Sequence, residues 1–293
     1  MNKKIFYIKD IMLLQNFVEP LNYLDIGSRT DADSWFDIIS KKLNKINFEA
    51  QDGSGLFNFT GTKKFFLTKE DTRSSLFKPN SKLKKFVNEE SRLNYKEIDI
   101  KVDTIDNRLK NFQGKVDLIK IDTQGCEYEI LEGGWNTIKK DMPFLFLETW
   151  SDDYYENIHL FEDIITKLRT INYDLYLMDV AASSRIDLKY KFSKNIGREK
   201  MSGFNLFLGP NLDYLLSINN TQVKIKKSFI LFCHDLLTHS YKIVEKEQSN
   251  YKVCLEKIIN KRIKYSYFYF AANCLKIIQN LIFKNKKNFF NLT

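Results

Sequence analysis

Four charged side chains carry the first chemical signal in this chain. In KVDLIKIDTQGCEYEILEGG, residues 115–134, Lys120 and Asp122 interrupt and close an apolar run, and Glu127 follows soon after. Glu148 closes a second apolar run, FLFLE. A lysine or carboxylate at the end of a buried strand is costly unless paired or used. Carboxylates gathered at one sheet edge can orient a hydroxyl and take its proton, the work of a general base. Asp122 is the first candidate for that role and Glu148 the second. Lys120 shares a strand face with Asp122. There it would hold Asp122 ionised or offset negative charge developing on an oxygen. Glu127 would hold Lys120 or face the substrate. The carboxylates together also permit a divalent metal, although no ligand spacing demands one and no metal-binding residue is assigned.

A second group lies nearer the start. In LNYLDIGS, Asp25 and Gly27 end a short apolar run, and Glu49 stands 22 residues after Gly27. A glycine turn after a strand lets backbone approach a ligand, and an acid ending the next strand can bond the ribose hydroxyls of a nucleoside.

These side chains need a sheet to position them. Residues 5–18 have loose helical spacing and read as a lead-in helix that Pro20 breaks. Leu21–Ile26 reads as a strand, Ala32–Leu43 as a helix and Ile46–Ala50 as a second strand. Further strands are expected at Thr62–Thr68, Ile98–Val102, Val116–Ile121 and Phe144–Glu148. Asp106 is expected to cap a helix over Asn107–Phe112. Tyr173–Val180 and Phe204–Leu208 read as a closing antiparallel pair after a helix at Phe161–Leu168. Between Glu49 and Lys63 the chain is short for a crossover helix. Alternating strands and helices predict an α/β fold, with ligands at the carboxyl ends of the strands.

The run IKIDTQGCEYEILEGG resembles the signature of the FkbM family of S-adenosylmethionine-dependent methyltransferases. Ile119, Lys120, Ile121, Asp122, Gly125, Glu127, Leu131 and Gly133 or Gly134 match, whereas Gln124 replaces the family's acid. Asp25 and Gly27 are similar to the start of a D-x-G-x-N-x-G motif, from which Arg29 and Asp31 depart. Ser74-Ser75-Leu76 and Thr104-Ile105-Asp106 also resemble family segments. The resemblance covers residues 21–208. It implies a class I (Rossmann-like) methyltransferase fold with a mostly parallel seven-stranded sheet. It implies S-adenosyl-L-methionine as cofactor, held at Asp25, Gly27 and Glu49. The implied activity is O-methyl transfer to a sugar hydroxyl in surface-glycan or secondary-metabolite biosynthesis. The altered glycine motif and Gln124 leave a second reading open: a module that keeps the fold without catalysis.

Charge divides the chain. The formal net charge is +9, from 46 basic and 37 acidic residues. Residues 221–293 hold 14 of the basic and 4 of the acidic ones, a net of +10 that leaves the remainder at −1. Residues 1–210 are therefore read as the catalytic domain and 211–293 as a basic, all-helical C-terminal extension. Its apolar stripes include Phe229, Phe232 and Leu236, then Leu255, Ile258 and Ile259, then Leu275, Ile278 and Ile282. Such helices pack on the body, or lay a basic face on an anionic membrane or a lipid-linked glycan. An anionic acceptor is also suggested by the lysine- and arginine-rich stretch 181–203. Nucleic acid is not an expected partner, because the lysines are not interleaved with aromatics that could stack on bases. Cys126, Cys233, Cys254 and Cys274 have no metal-like spacing, and the first residues are too charged for a signal peptide. A reduced, cytoplasmic protein is expected.

Overall fold

A computed structural model describes residues 3–27, 38–48, 50, 54–86, 89–184 and 200–264. Its first five strands are β1 (Leu21–Ile26), β2 (Leu43–Phe48), β3 (Ser54–Leu56), β4 (Gly61–Thr68) and β5 (Tyr95–Asp103). The rest are β6 (Leu118–Ile121), β7 (Phe144–Trp150), β8 (Tyr173–Ser184) and β9 (Lys200–Pro210). The helices are α1 (Lys3–Leu14), α2 (Ile105–Arg108), α3 (Glu127–Gly133), α4 (Trp135–Asp141) and α5 (Phe161–Arg169). After β9 come α6 (Leu212–Ser217), α7 (Thr221–Cys233), α8 (Leu237–Val244) and α9 (residues 250–264).

Six strands form the main sheet in the order β2-β1-β6-β7-β9-β8. β2, β1, β6 and β7 run parallel, and β9 returns antiparallel between β7 and β8. All four residues of β6 are buried, as a central strand covered on both faces requires. Among the described residues the main sheet has six strands where seven are expected, and the other three form a separate sheet, β3-β5-β4. β3 pairs parallel to β5 and β4 antiparallel to it. The cause is chain length. Residues 49–53 are too few for a parallel crossover, which takes a dozen or more.

Two other expectations change at the element ends. Leu43 opens β2 instead of closing a helix. Thr104, not Asp106, caps α2 by accepting from the Asn107 N–H at 3.1 Å. Asp106 instead caps α4, accepting from the N–H groups of Asn136 and Thr137. Of the expected helix over Ala32–Leu43, residues 32–37 lie outside the described residues, and Ser40–Lys42 form a 3₁₀ turn.

The sheet buries both faces. On one face, Leu24, Ile26, Ile119, Ile121 and Leu147 pack with the small sheet and with α3, α4 and α5. On the other, Tyr23, Leu118, Phe144 and Phe207 pack with Ile11 and Leu14 of α1. Phe229 and Phe232 of α7, Ile243 of α8 and Leu255 of α9 complete that second core. The apolar side of residues 212–258 thus covers the sheet; the third apolar stripe lies outside the described residues. Lys227 departs from the pattern of solvated lysines. It is buried, donates to the Met142 carbonyl at 2.6 Å, and burial pushes it down to about 8. Among the described residues no helix is long and apolar enough to cross a membrane.

Candidate active site

The site begins where β6 ends. The Asp122 N–H donates to the Ile26 carbonyl at 2.9 Å, extending the β1–β6 ladder one residue past the strand. A tight turn follows, with Gln124 at φ 59° and Gly125 at φ 110°. Gly125 is required twice over: its backbone is left-handed, and a Cβ would press on Ile158 and Tyr155. Ser75 ties the turn down by donating from Oγ to the Gln124 carbonyl at 2.7 Å.

Glu127 holds the same turn from inside. Its Oε1 accepts from the N–H groups of Thr123 and Gly125 and from the Thr123 hydroxyl, each at 3.1 Å. Burial pushes its carboxyl up to about 7, although those backbone bonds pull it the other way. Its place at the start of α3 suits negative charge. Glu127 therefore positions Asp122 through the turn.

Asp122 and Glu148 come together. Ile121 is the register partner of Leu147, so the next residue on each strand stands level at the carboxyl edge. Their side chains hydrogen-bond each other, which requires a shared proton. Glu148 is pushed up to about 8, first by burial and then by the charge and hydrogen bond of Asp122. Two carboxylates this close in a buried site cannot both ionise cheaply. The raised affinity for the shared proton falls on Glu148.

The pair lines a cleft of about 280 Å³. Ile26, Gly27, Phe48, Ala50 and Leu56 form its apolar side, and Arg73, Arg92 and Gln124 a polar one. Gly27, at φ +79°, lies so close to the Asp122 carbonyl that a Cβ would overlap it. The other expected residues sit elsewhere. Asp25 and Lys120 are register partners on β1 and β6, both buried, and neither is part of the cleft lining. Asp25 Oδ2 pairs with Lys45 at 2.9 Å, whereas its Oδ1 is buried with no hydrogen-bond partner among the described residues. Glu49 lies outside the described residues.

Arg92 was invisible to sequence reasoning. It sits in the charged stretch NEESRLNY, which carries no periodicity, yet its side chain is buried in the wall of the cleft. Its guanidinium lies 5.2 Å from the Trp150 ring centre, 5.5 Å from that of Tyr154 and 5.7 Å from that of Tyr155. Nε donates to Glu89 at 2.6 Å, and Nη1 donates to Gln124 Oε1 at 2.9 Å and to the Tyr155 hydroxyl. Gln124 in turn reaches Asp122 Oδ1 from Nε2, at 3.4 Å. The cluster WSDDYY, which begins with the last residue of β7, was the available signal: three large aromatics beside a carboxylate-bearing strand end.

A mostly parallel α/β sheet with polar groups at the carboxyl ends of its middle strands has the architecture of Rossmann-like enzymes. The chain belongs to the FkbM methyltransferase family: the model of the methyltransferase FkbM domain matches residues 17–175. That match spans β1 to the start of β8 and holds every cleft residue named above; α6–α9 lie beyond it. Among curated proteins no match is found.

Proposed function

We propose that this methyltransferase uses S-adenosylmethionine to methylate a sugar hydroxyl in surface-glycan or secondary-metabolite biosynthesis. The observation that carries the reading is the Asp122–Glu148 pair, which shares one proton inside a cleft whose other side is apolar. The residues fit the cofactor. Gly27 leaves a backbone surface free of side chain, while Ile26, Phe48 and Ala50 offer an apolar wall for a nucleoside base. Asp25 Oδ1 is buried with no hydrogen-bond partner among the described residues, an acceptor suited to an ammonium donor. When bound, S-adenosylmethionine supplies an electrophilic methyl group.

The chain's own residues do the remaining work. Asp122 accepts a hydrogen bond from the acceptor hydroxyl, orients its oxygen, and takes the proton as the new bond forms. Glu148 shares that charge across the pair. Glu127 and Ser75 keep the turn, and therefore Asp122, fixed. The apolar wall keeps water from the reacting oxygen.

Calorimetric titration with S-adenosylmethionine tests the first half of this reading. Absence of binding would favour the module without catalysis. Release of S-adenosylhomocysteine in the presence of candidate hydroxyl acceptors tests the second half. Asp122→Asn should suppress that release without altering affinity for S-adenosylmethionine.

A further inference from the structure

We propose that Arg92 is the acceptor-recognition residue, and that it selects a substrate bearing an anionic group, carboxylate or phosphate, near the hydroxyl to be methylated. The inference rests on the methyl-transfer reading and adds the substrate class to it.

The argument starts from how Arg92 is held. An arginine with only a structural role places its donors on protein acceptors, because a buried unsatisfied donor is costly. Arg92 does this with Nε and Nη1, but Nη2 makes no hydrogen bond among the described residues. The side chain is nevertheless one wall of the cleft. Glu89, Gln124, Tyr155 and the three aromatic rings fix the guanidinium plane and leave one edge for a ligand. The two N–H groups of Nη2 can each donate a charge-assisted hydrogen bond to a carboxylate or phosphate oxygen.

Among the described residues the charged groups lining the cleft are Arg73, Arg92, Asp122 and Glu148. Arg73 is already engaged with Glu70 at 2.5 Å and with the Ser91 hydroxyl at 2.9 Å. Arg92 is also joined to Asp122 through Gln124, whose carbonyl faces the guanidinium and whose amide faces the carboxylate. An acceptor anchored at Arg92 is thereby indexed to the base.

Binding to the full-length protein by calorimetry, without methyl donor, decides the matter with three probes: D-glucuronate, D-glucose 6-phosphate and D-glucose. At least one charged probe should bind about 10- to 100-fold more tightly than glucose, the usual value of a charge-assisted hydrogen bond. The tighter of the two identifies carboxylate or phosphate. Arg92→Met should erase the discrimination while S-adenosylmethionine affinity stays unchanged, and Arg92→Lys should restore only part of it. Equal binding of charged and neutral probes by the unmodified protein overturns the proposal, and that comparison needs no folded variant. So does a folded Arg92→Met protein that still discriminates. Failure of S-adenosylmethionine to bind in a separate titration strikes the methyl-transfer reading instead.

Discussion

Glu148 keeps its proton into the neutral range because ionising it would place two negative charges side by side in a buried cleft. The pair therefore titrates as a unit, with its second proton leaving at about 8. It is the better proton acceptor once that proton has left, so kcat/KM should rise with pH as a single ionisation near 8. Glu148→Gln should remove the rise, and a profile unchanged by that substitution would separate Glu148 from the chemistry. Asp122→Asn keeps shape and loses proton acceptance, and loss of a positioned base costs about 10²–10⁴ in rate. The same carboxyls set a pH dependence of folding. Glu127 and Glu148 have folded values, about 7 and about 8, above the ordinary 4.5. Between 4.5 and those values the folded chain binds more protons than the unfolded one, so their contribution to stability is full below about 4.5 and declines as pH rises toward 8. Urea midpoints from pH 5 to 8 should fall along that course, and the slope should flatten in Glu127→Gln and Glu148→Gln proteins.

At the scale of elements, the decisive contact is between two turns. Gly27, just past β1, rests on the Asp122 carbonyl just past β6 and on the Thr123 side chain, and its φ of +79° favours glycine. Gly27→Ala should strain the backbone and push the two turns apart. A strained backbone position costs about 1–3 kcal/mol. The denaturant midpoint should fall accordingly, and S-adenosylmethionine affinity should fall with it. A variant of normal stability and affinity would show that the two turns do not need to meet. These turns were also the most legible part of the sequence. Lys120 and Asp122 sit in an otherwise apolar run, and Gly125 and Glu127 follow at the spacing that a strand, turn and helix need. Ile119 and Ile121 do fall on the face opposite, as their alternation implies. The roles of single side chains were less legible. Glu127 looks like a substrate-facing acid in sequence, but its carboxylate is taken up by three donors of its own turn. Arg92 reaches the site only because β5 and the 3₁₀ turn Glu90–Leu93 before it fold against the aromatics after β7, a long-range contact that no local pattern encodes. The seventh strand failed for a different reason. The short stretch after Glu49 already argues against a crossover helix, but the sequence there gives no sign that the next strands form their own sheet.

Taken as a whole, the molecule needs its C-terminal helices for a reason that charge does not reveal. A split at residue 220 leaves a nearly neutral body and a basic remainder, which invites the picture of a catalytic domain with an appendage. Packing argues otherwise for the described part of that remainder. Phe144, Phe207, Tyr23 and Leu118 present one whole face of the sheet to α1, α7, α8 and α9. Removal of residues 221–293 would expose that face, and fully burying one such large side chain contributes about 1.5–3 kcal/mol. Polar links would go as well: Asp117 would lose Lys226, held at 3.0 Å, and the Met142 carbonyl would lose Lys227. Lys227 itself can be tested in the intact chain. Its folded value of about 8 lies below the ordinary 10.5, so the unfolded chain binds more protons between the two, and its contribution to stability grows as pH rises from 8 to 10.5. Lys227→Met should remove that rise, visible in urea midpoints across the same interval. A protein ending at residue 220 should be poorly soluble, or compact with bound hydrophobic dye and weak near-ultraviolet dichroism, because one sheet face has lost its cover. If it were instead monomeric, with a cooperative thermal transition and full S-adenosylmethionine affinity, the first 220 residues would be self-sufficient and the helices an appendage after all.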